Sequence, residues 1–404
     1  GERLPSIYGF PGAWLTLTLF TYPLVLLSVR AALKRLDPQL EEAARAMGRS
    51  SWSVYRSVVL PQLAPALGGG GLLVALYVLS DFGGVSILRF DTFTRAIYTS
   101  YRGGFDRVGA ASLACLLVAV TLVVMWLEGR LRSPRAAYHR SGPGAARPAA
   151  VVTLGRWRWP ALAFCGAVTG LALAIPVGVL CYWSTRSVAG ALEWPALAAA
   201  AANSLTAAGL AALAAAACAL PVALLSVRFP GRAATLVERA SYAGHALPGI
   251  VVGLALVFLG TRAVPALYQT LAMLVAALVV LFLPQAVGPA RASLLQLPPR
   301  LEEAARSLGR GPLTVLRTVT APLAAGGVVA GGALVFLTAI KELPATLLLA
   351  PIGFDTLATE IWRATSVGFF ERGAVPSLLL LAVSAVPLYL LVAREGLPST
   401  LSRR

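Results

Sequence analysis

The chain of 404 residues is 58% hydrophobic and 13% charged, with a mean hydropathy of +0.77. Soluble globular chains carry about 25% charged residues, so a water-soluble enzyme is excluded and an all-α polytopic membrane protein is expected. A net charge of +17 would suggest nucleic acid as a partner, but 32 of the 34 basic residues are Arg and most lie between apolar blocks, as in membrane proteins.

Nine apolar segments are long enough to span a bilayer, near 11–30, 64–80, 109–127, 159–183, 197–225, 242–260, 268–290, 324–341 and 374–393. Alternating them sorts the loops into two sets. The stretches near 30–60, 128–158, 226–240 and 291–320 and the C-terminal tail hold 24 of the 34 Lys and Arg. The positive-inside rule assigns that set and Arg404 to the cytoplasm, and residue 1 to the outside. The 128–158 stretch reads as a basic cytoplasmic linker beside anionic lipid headgroups, not as a nucleic-acid arm. Cys115, Cys165, Cys181 and Cys218 fall in or at the edge of apolar runs, without metal-ligand spacing, and read as small buried hydrophobes.

After the first span, Asp37-Pro38 is a helix-start signal. Leu40, Ala43, Ala44 and Met47 then recur at i, i+3, i+4 and i+7, which predicts a short amphipathic helix with Glu41, Glu42, Arg45 and Arg49 opposite. Gly48 stops it. A second short helix carrying Trp52, Tyr55 and Val59 is expected to end at Pro61, where the chain re-enters the bilayer. The result is a helix–Gly–helix elbow with a narrow Ala-lined face suited to a groove on another protein; the competing reading is a helix lying on lipid. Gly68–Gly71 suits close helix approach at an interface between two halves. Asp81 closes the next span. It reads either as part of a translocation path or gate, because charge within a bilayer is costly and functional, or as a boundary carboxylate in water. The FDTFTRAIY segment at 90–98 predicts a short outer-surface helix near Asp91, with an N-cap as a competing role for that residue.

The same order recurs. LEEAARAMG at 40–48 matches LEEAARSLG at 301–309, 261 residues on, and Pro23, Arg30, Pro61 and Asp81 match Pro284, Arg291, Pro322 and Glu342 at the same offset. FDTLATEIW at 354–362 then matches 90–98, placing Asp355 opposite Asp91. Three spans belong to the first copy and six to the second, so three further spans are expected ahead of Gly1 in an intact protein of twelve. The expected organisation is 1–127 as the C-terminal part of the first repeat, 128–158 as linker and 159–395 as the second repeat. Six spans per copy is even, so the copies run parallel and both elbows face one side; inverted repeats need an odd number. In the second copy, Asn203-Ser204 reads as a helix-to-helix hydrogen-bonding pair and His245 as structural.

The pattern E-A-A, then Gly, then a hydrophobic pair and Pro, resembles the EAA loop of ABC importer permeases. It is carried by Glu42, Ala43, Ala44, Gly48 and Pro61, and again by Glu303, Ala304, Ala305, Gly309 and Pro322, with Ala321 where Leu is usual. SDFGGVSILRFDTFTRAIY and KELPATLLLAPIGFDTLATEIW further resemble iron(III) importer permeases with two fused halves. Thiamine, sulfate, polyamine and phosphonate permeases share the loop, so cargo rests on those two segments. The resemblance implies two tandem six-helix domains in a bacterial inner membrane, with both loops docked on ATPase subunits. Two copies of that ATPase and a solute-binding protein for ferric iron are the partners implied, the latter meeting Asp91 and Asp355. No P-loop is present, since Lys34 and Lys341 follow Leu33 and Ile340. The chain is thus expected to bind no cofactor and catalyse no reaction, with ATP and magnesium used by the partner subunits.

Overall fold

A computed structural model describes residues 6–34, 36, 38–131, 154–187 and 193–395. Asp37, most of the expected linker (132–153) and the tail 396–404 lie outside the described residues. Among those described there is no strand. Eight helices are long and apolar enough to cross a membrane, and one broken pair makes a ninth candidate.

The chain runs through α1 (Phe10–Leu33), α2 (Pro38–Ala46), α3 (Ser51–Ser80), α4 (Gly83–Ile87), α5 (Phe93–Arg102) and α6 (Arg107–Leu131). It continues with α7 (Gly155–Arg186), α8 (Trp194–Arg228), α9 (Arg232–Ala246) and α10 (Gly249–Arg262), then α11 (Leu271–Gln296), α12 (Pro299–Ser307), α13 (Pro312–Ala339), α14 (Pro344–Leu349), α15 (Leu357–Ser366) and α16 (Phe370–Glu395). The repeat is visible element by element. The starts of α1 to α4 lie 261 residues before those of α11 to α14, and α5 lies 264 before α15.

Two expectations about helix ends are corrected. Neither second elbow helix ends at Pro61 or Pro322; each runs on into the span. One turn in each copy, Tyr55–Val59 and Leu316–Thr320, is wound as π-helix, with the Leu60 N–H donating to the Tyr55 carbonyl and the Ala321 N–H to the Leu316 carbonyl. The wider turn accommodates a proline that brings no N–H of its own. Conversely, the span expected over 242–260 is broken. Leu247 has extended backbone (φ −88°, ψ 131°) ahead of Pro248, as the pyrrolidine ring demands, and α9 and α10 meet at 104°.

Two compact units divide the chain at Gly178, within α7. Residues 159–178, which the sequence groups with the second repeat, thus pack with the first unit. In that unit α1 packs on α3, where Gly70 would place a Cβ 3.0 Å from the Val25 Cα. In the second unit the core is α8, α11 and α13. Ala215, Ala219 and Ala223 repeat every four residues on α8 and are fully buried against Ala286, Val287, Ala290 and Leu294 of α11 and Ala324 and Val335 of α13. Small side chains let the backbones approach in a setting where lipid offers no hydrophobic drive for association. Gly70, expected at an interface between halves, serves a helix pair inside the first unit, and Gly327 and Gly331 do the same in the second. The four cysteines lie on exposed helix faces, contrary to the expected burial. An apolar run marks a span without saying which face meets protein.

Candidate functional site

Each elbow is built from residues in matching positions. Gly48 and Gly309 have φ of 79° and 80°. Gly48 N–H donates to the Arg45 carbonyl (2.9 Å) and Arg49 N–H to the Ala44 carbonyl (3.3 Å), a Schellman end; Gly309 and Arg310 repeat it on Arg306 and Ala305 at 2.9 and 3.2 Å. Beyond the glycine, Arg49 Nη1 donates to Ser57 Oγ (3.0 Å), matched by Arg310 Nη1 to Thr318 Oγ1 (3.1 Å). These bonds fold the second elbow helix back on the first.

The apolar stripe is split. Ala44 and Ala305 are 3% and 8% exposed and face inward, where α2 and α12 pack on the helices that follow. Leu40, Ala43 and Met47 stay exposed, as do Leu301, Ala304 and Leu308, with Met47 at 71% and Leu308 at 81%. Exposed Trp52 and Tyr55, stacked at 5.5 Å, extend the first patch and Leu313 the second. Glu42 and Glu303, next to Ala43 and Ala304, are exposed at its edge; Pro61 and Pro322, where the spans begin, are exposed as well.

Glu302, one residue before the sequence motif, is the buried acid. It is 7% exposed; its Oε1 accepts from Arg228 Nε (3.2 Å) and Thr320 Oγ1 (3.1 Å), and its Oε2 lies 3.8 Å from Arg306. Arg228 also donates to the Leu297 carbonyl (3.0 Å). A helical count held the signal, since Glu302 shares the inward face with Ala305 three residues on.

Asp81 follows α3 directly and Glu342 lies three residues past the end of α13, and each carboxylate accepts from a backbone N–H in the first turn of the short helix that follows. Val85 N–H donates to Asp81 Oδ2 (3.1 Å) and Ala345 N–H to Glu342 Oε1 (3.0 Å). Burial pushes the Glu342 carboxyl up to about 7, with the Ala345 and Leu343 N–H groups and Lys341 opposing; burial likewise raises Asp81 against the N–H groups of Val85 and Gly84. Glu342 Oε1 also fills the notch left by Gly249 at the start of α10, 2.3 Å from where a Cβ would stand.

Asp91 and Asp355 are not N-caps. Thr92 and Thr356 hold that position, the latter in a capping box with Thr359. Asp91 pairs with Arg95 (2.7 Å), and Arg363 bridges Asp355 and Glu360. The Asp355 carbonyl accepts from Asn203 Nδ2 (2.9 Å), and Ser204 Oγ accepts from the Leu357 N–H (2.8 Å). The Asn203-Ser204 pair thereby ties α8 to the start of α15, as expected. Among the described residues no three His, Cys, Asp or Glu side chains are grouped to hold a metal.

Residues 5–133 and 210–394 both match the family described as binding-protein-dependent transport system inner membrane component. The chain belongs to this family. Within the family, it is 38% identical to the Fe(3+)-transport system permease protein FbpB 2 of Haemophilus influenzae, over 93% of this chain and 74% of that relative. It is 24% identical to the ferric transport system permease protein FbpB of Actinobacillus pleuropneumoniae, over 95% of this chain and 58% of the relative. Among solved structures, an inward-facing MetNI methionine ABC transporter aligns with 49% of this chain at 19% identity and a TM-score of 0.42. The two separate matches to one family accord with the repeat of α1–α6 in α11–α16. As a member, the chain is a multi-pass inner-membrane component of a transport system.

Proposed function

We propose that this chain is the fused permease subunit of an ATP-driven importer, which passes ferric iron from an external solute-binding protein across a bacterial inner membrane. The carrying observation is the pair of elbows, alike in backbone, glycine stop and Arg–hydroxyl brace, each presenting an exposed apolar patch rimmed by Glu42 or Glu303. Two such patches suit two copies of one ATPase subunit, which use ATP and magnesium while this chain binds neither and catalyses nothing. Both elbows, the linker and the C-terminus then face the cytoplasm, in line with the distribution of Arg.

Closure of the ATPase pair would push the elbows together and tilt the spans joined to them through unbroken helix at Pro61 and Pro322. Asp81 and Glu342 would hold the short helices α4 and α14 at the path, and the surfaces of α5 and α15 beside Asp91 and Asp355 would meet the binding protein. The 38% identity to an Fe(3+) permease supports ferric iron as cargo. Uptake of labelled ferric ion into proteoliposomes holding the assembled complex tests the reading. It predicts uptake that requires ATP, the ATPase and the binding protein. ATP-dependent uptake of sulfate or thiamine with none of iron would overturn the cargo, and iron uptake without the ATPase would overturn the mechanism.

A further inference from the structure

Glu302 ties four segments of the second unit together. Through Arg228 it reaches the last residue of α8 and, by the second arm of the same guanidinium, the Leu297 carbonyl at the end of α11. Through Thr320 it reaches the π-wound turn of α13, and it stands itself on the first elbow helix, α12. The Arg228 and Glu302 side chains are 13% and 10% exposed. A buried ion pair of this kind is seldom more stabilising than an apolar pair of the same volume, because desolvation offsets the attraction. Its directional bonds instead set register: a guanidinium plane shared between a carboxylate and a carbonyl admits one arrangement of α8, α11 and α12. In the first copy Glu41 holds the equivalent place and pairs with Arg45 (3.6 Å) much as Glu302 does with Arg306 (3.8 Å), while Val59 stands where Thr320 does.

We propose that Arg228, Glu302 and Thr320 form a rigid joint that makes α8 move with the second elbow. These are positioning residues, and they lie behind the exposed patch, not on it. The inference rests on the reading of this chain as an ATP-coupled permease, and two measurements separate the two.

In proteoliposomes with the assembled importer, uptake of labelled ferric ion and ATP hydrolysis are followed together. Glu302→Gln and the double variant Arg228→Met/Glu302→Met are expected to assemble and hydrolyse ATP near the wild-type rate. Solute carried per ATP should fall about fivefold or more, the lower end of coupling between distant sites. Arg228→Lys should restore part of it, and Thr320→Val, which installs the residue found at position 59, should show a smaller fall. Independently of any cargo, spin labels at Phe229→Cys and Leu308→Cys, both exposed positions, in a chain with its native cysteines replaced, read the joint itself. A narrow distance distribution that broadens in Glu302→Gln is expected, and that result stands even if wild-type importer carries no iron. An unchanged distribution, an unchanged ratio of solute to ATP, or loss of assembly in Thr320→Val as well as the others overturns the joint.

Discussion

Gly48 and Gly309 have open space where a Cβ would stand, so what they supply is a left-handed backbone and nothing steric. Alanine at either position should cost about 1–2 kcal/mol, with asparagine costing less, as thermal unfolding in detergent would show; alanine variants as stable as wild type would contradict the geometry. Glu342 makes a pH-dependent prediction. Its folded pKa is raised, so its contribution to stability is complete below the ordinary carboxylate range and is lost as pH rises through about 7. Glu342→Gln, which keeps an acceptor for the Ala345 N–H, should flatten the fall in melting temperature between acid and neutral pH. The glycine stops were legible in the sequence because the αL end of a helix has few alternatives to glycine. The buried acid was legible only in part: Glu302 stands three residues before Ala305 on one helix face, but Glu303 is its neighbour, and the partners, 74 and 18 residues away, decide which of them turns inward.

At the scale of elements, spans were legible from apolar length, and their packing was not. Gly326 and Gly331 sit five residues apart on α13 and look alike in sequence. A Cβ on Gly331 would stand 2.7 Å from the Ala286 Cα and carbonyl oxygen of α11, whereas one on Gly326 would meet nothing within 4 Å. Gly331→Ala should therefore destabilise by about 1–3 kcal/mol, and Gly326→Ala should be neutral or add roughly 0.4–1 kcal/mol. Equal melting temperatures for the two would contradict the α11–α13 contact. Ser204→Ala would leave the buried Leu357 N–H without its acceptor, at a cost of about 1–3 kcal/mol, read as faster amide exchange at the start of α15. Proline misled at Pro61, where a helix end was expected although the helix runs on, as helices also do through Pro23 and Pro284 inside α1 and α11. What sets Pro61 apart is the π-turn, which depends on how the elbow folds back and leaves no local signature.

For the whole molecule, the repeat was the strongest sequence signal, and it predicted that elements separated by 261 residues would be alike in kind, which α1–α4 and α11–α14 are. Division into compact units did not follow the repeat, because α7 belongs by sequence to the second copy while its first part packs with the first unit. On the proposed reading, both elbow patches are seats for a separate ATPase. Met47→Cys and Leu308→Cys, introduced singly into a chain without its native cysteines and treated with a short bifunctional reagent in the assembled complex, test it most directly. Each should crosslink to the ATPase subunit, with a yield that changes on adding ATP; absence of a crosslink at either position, with the complex intact and active, would contradict the account.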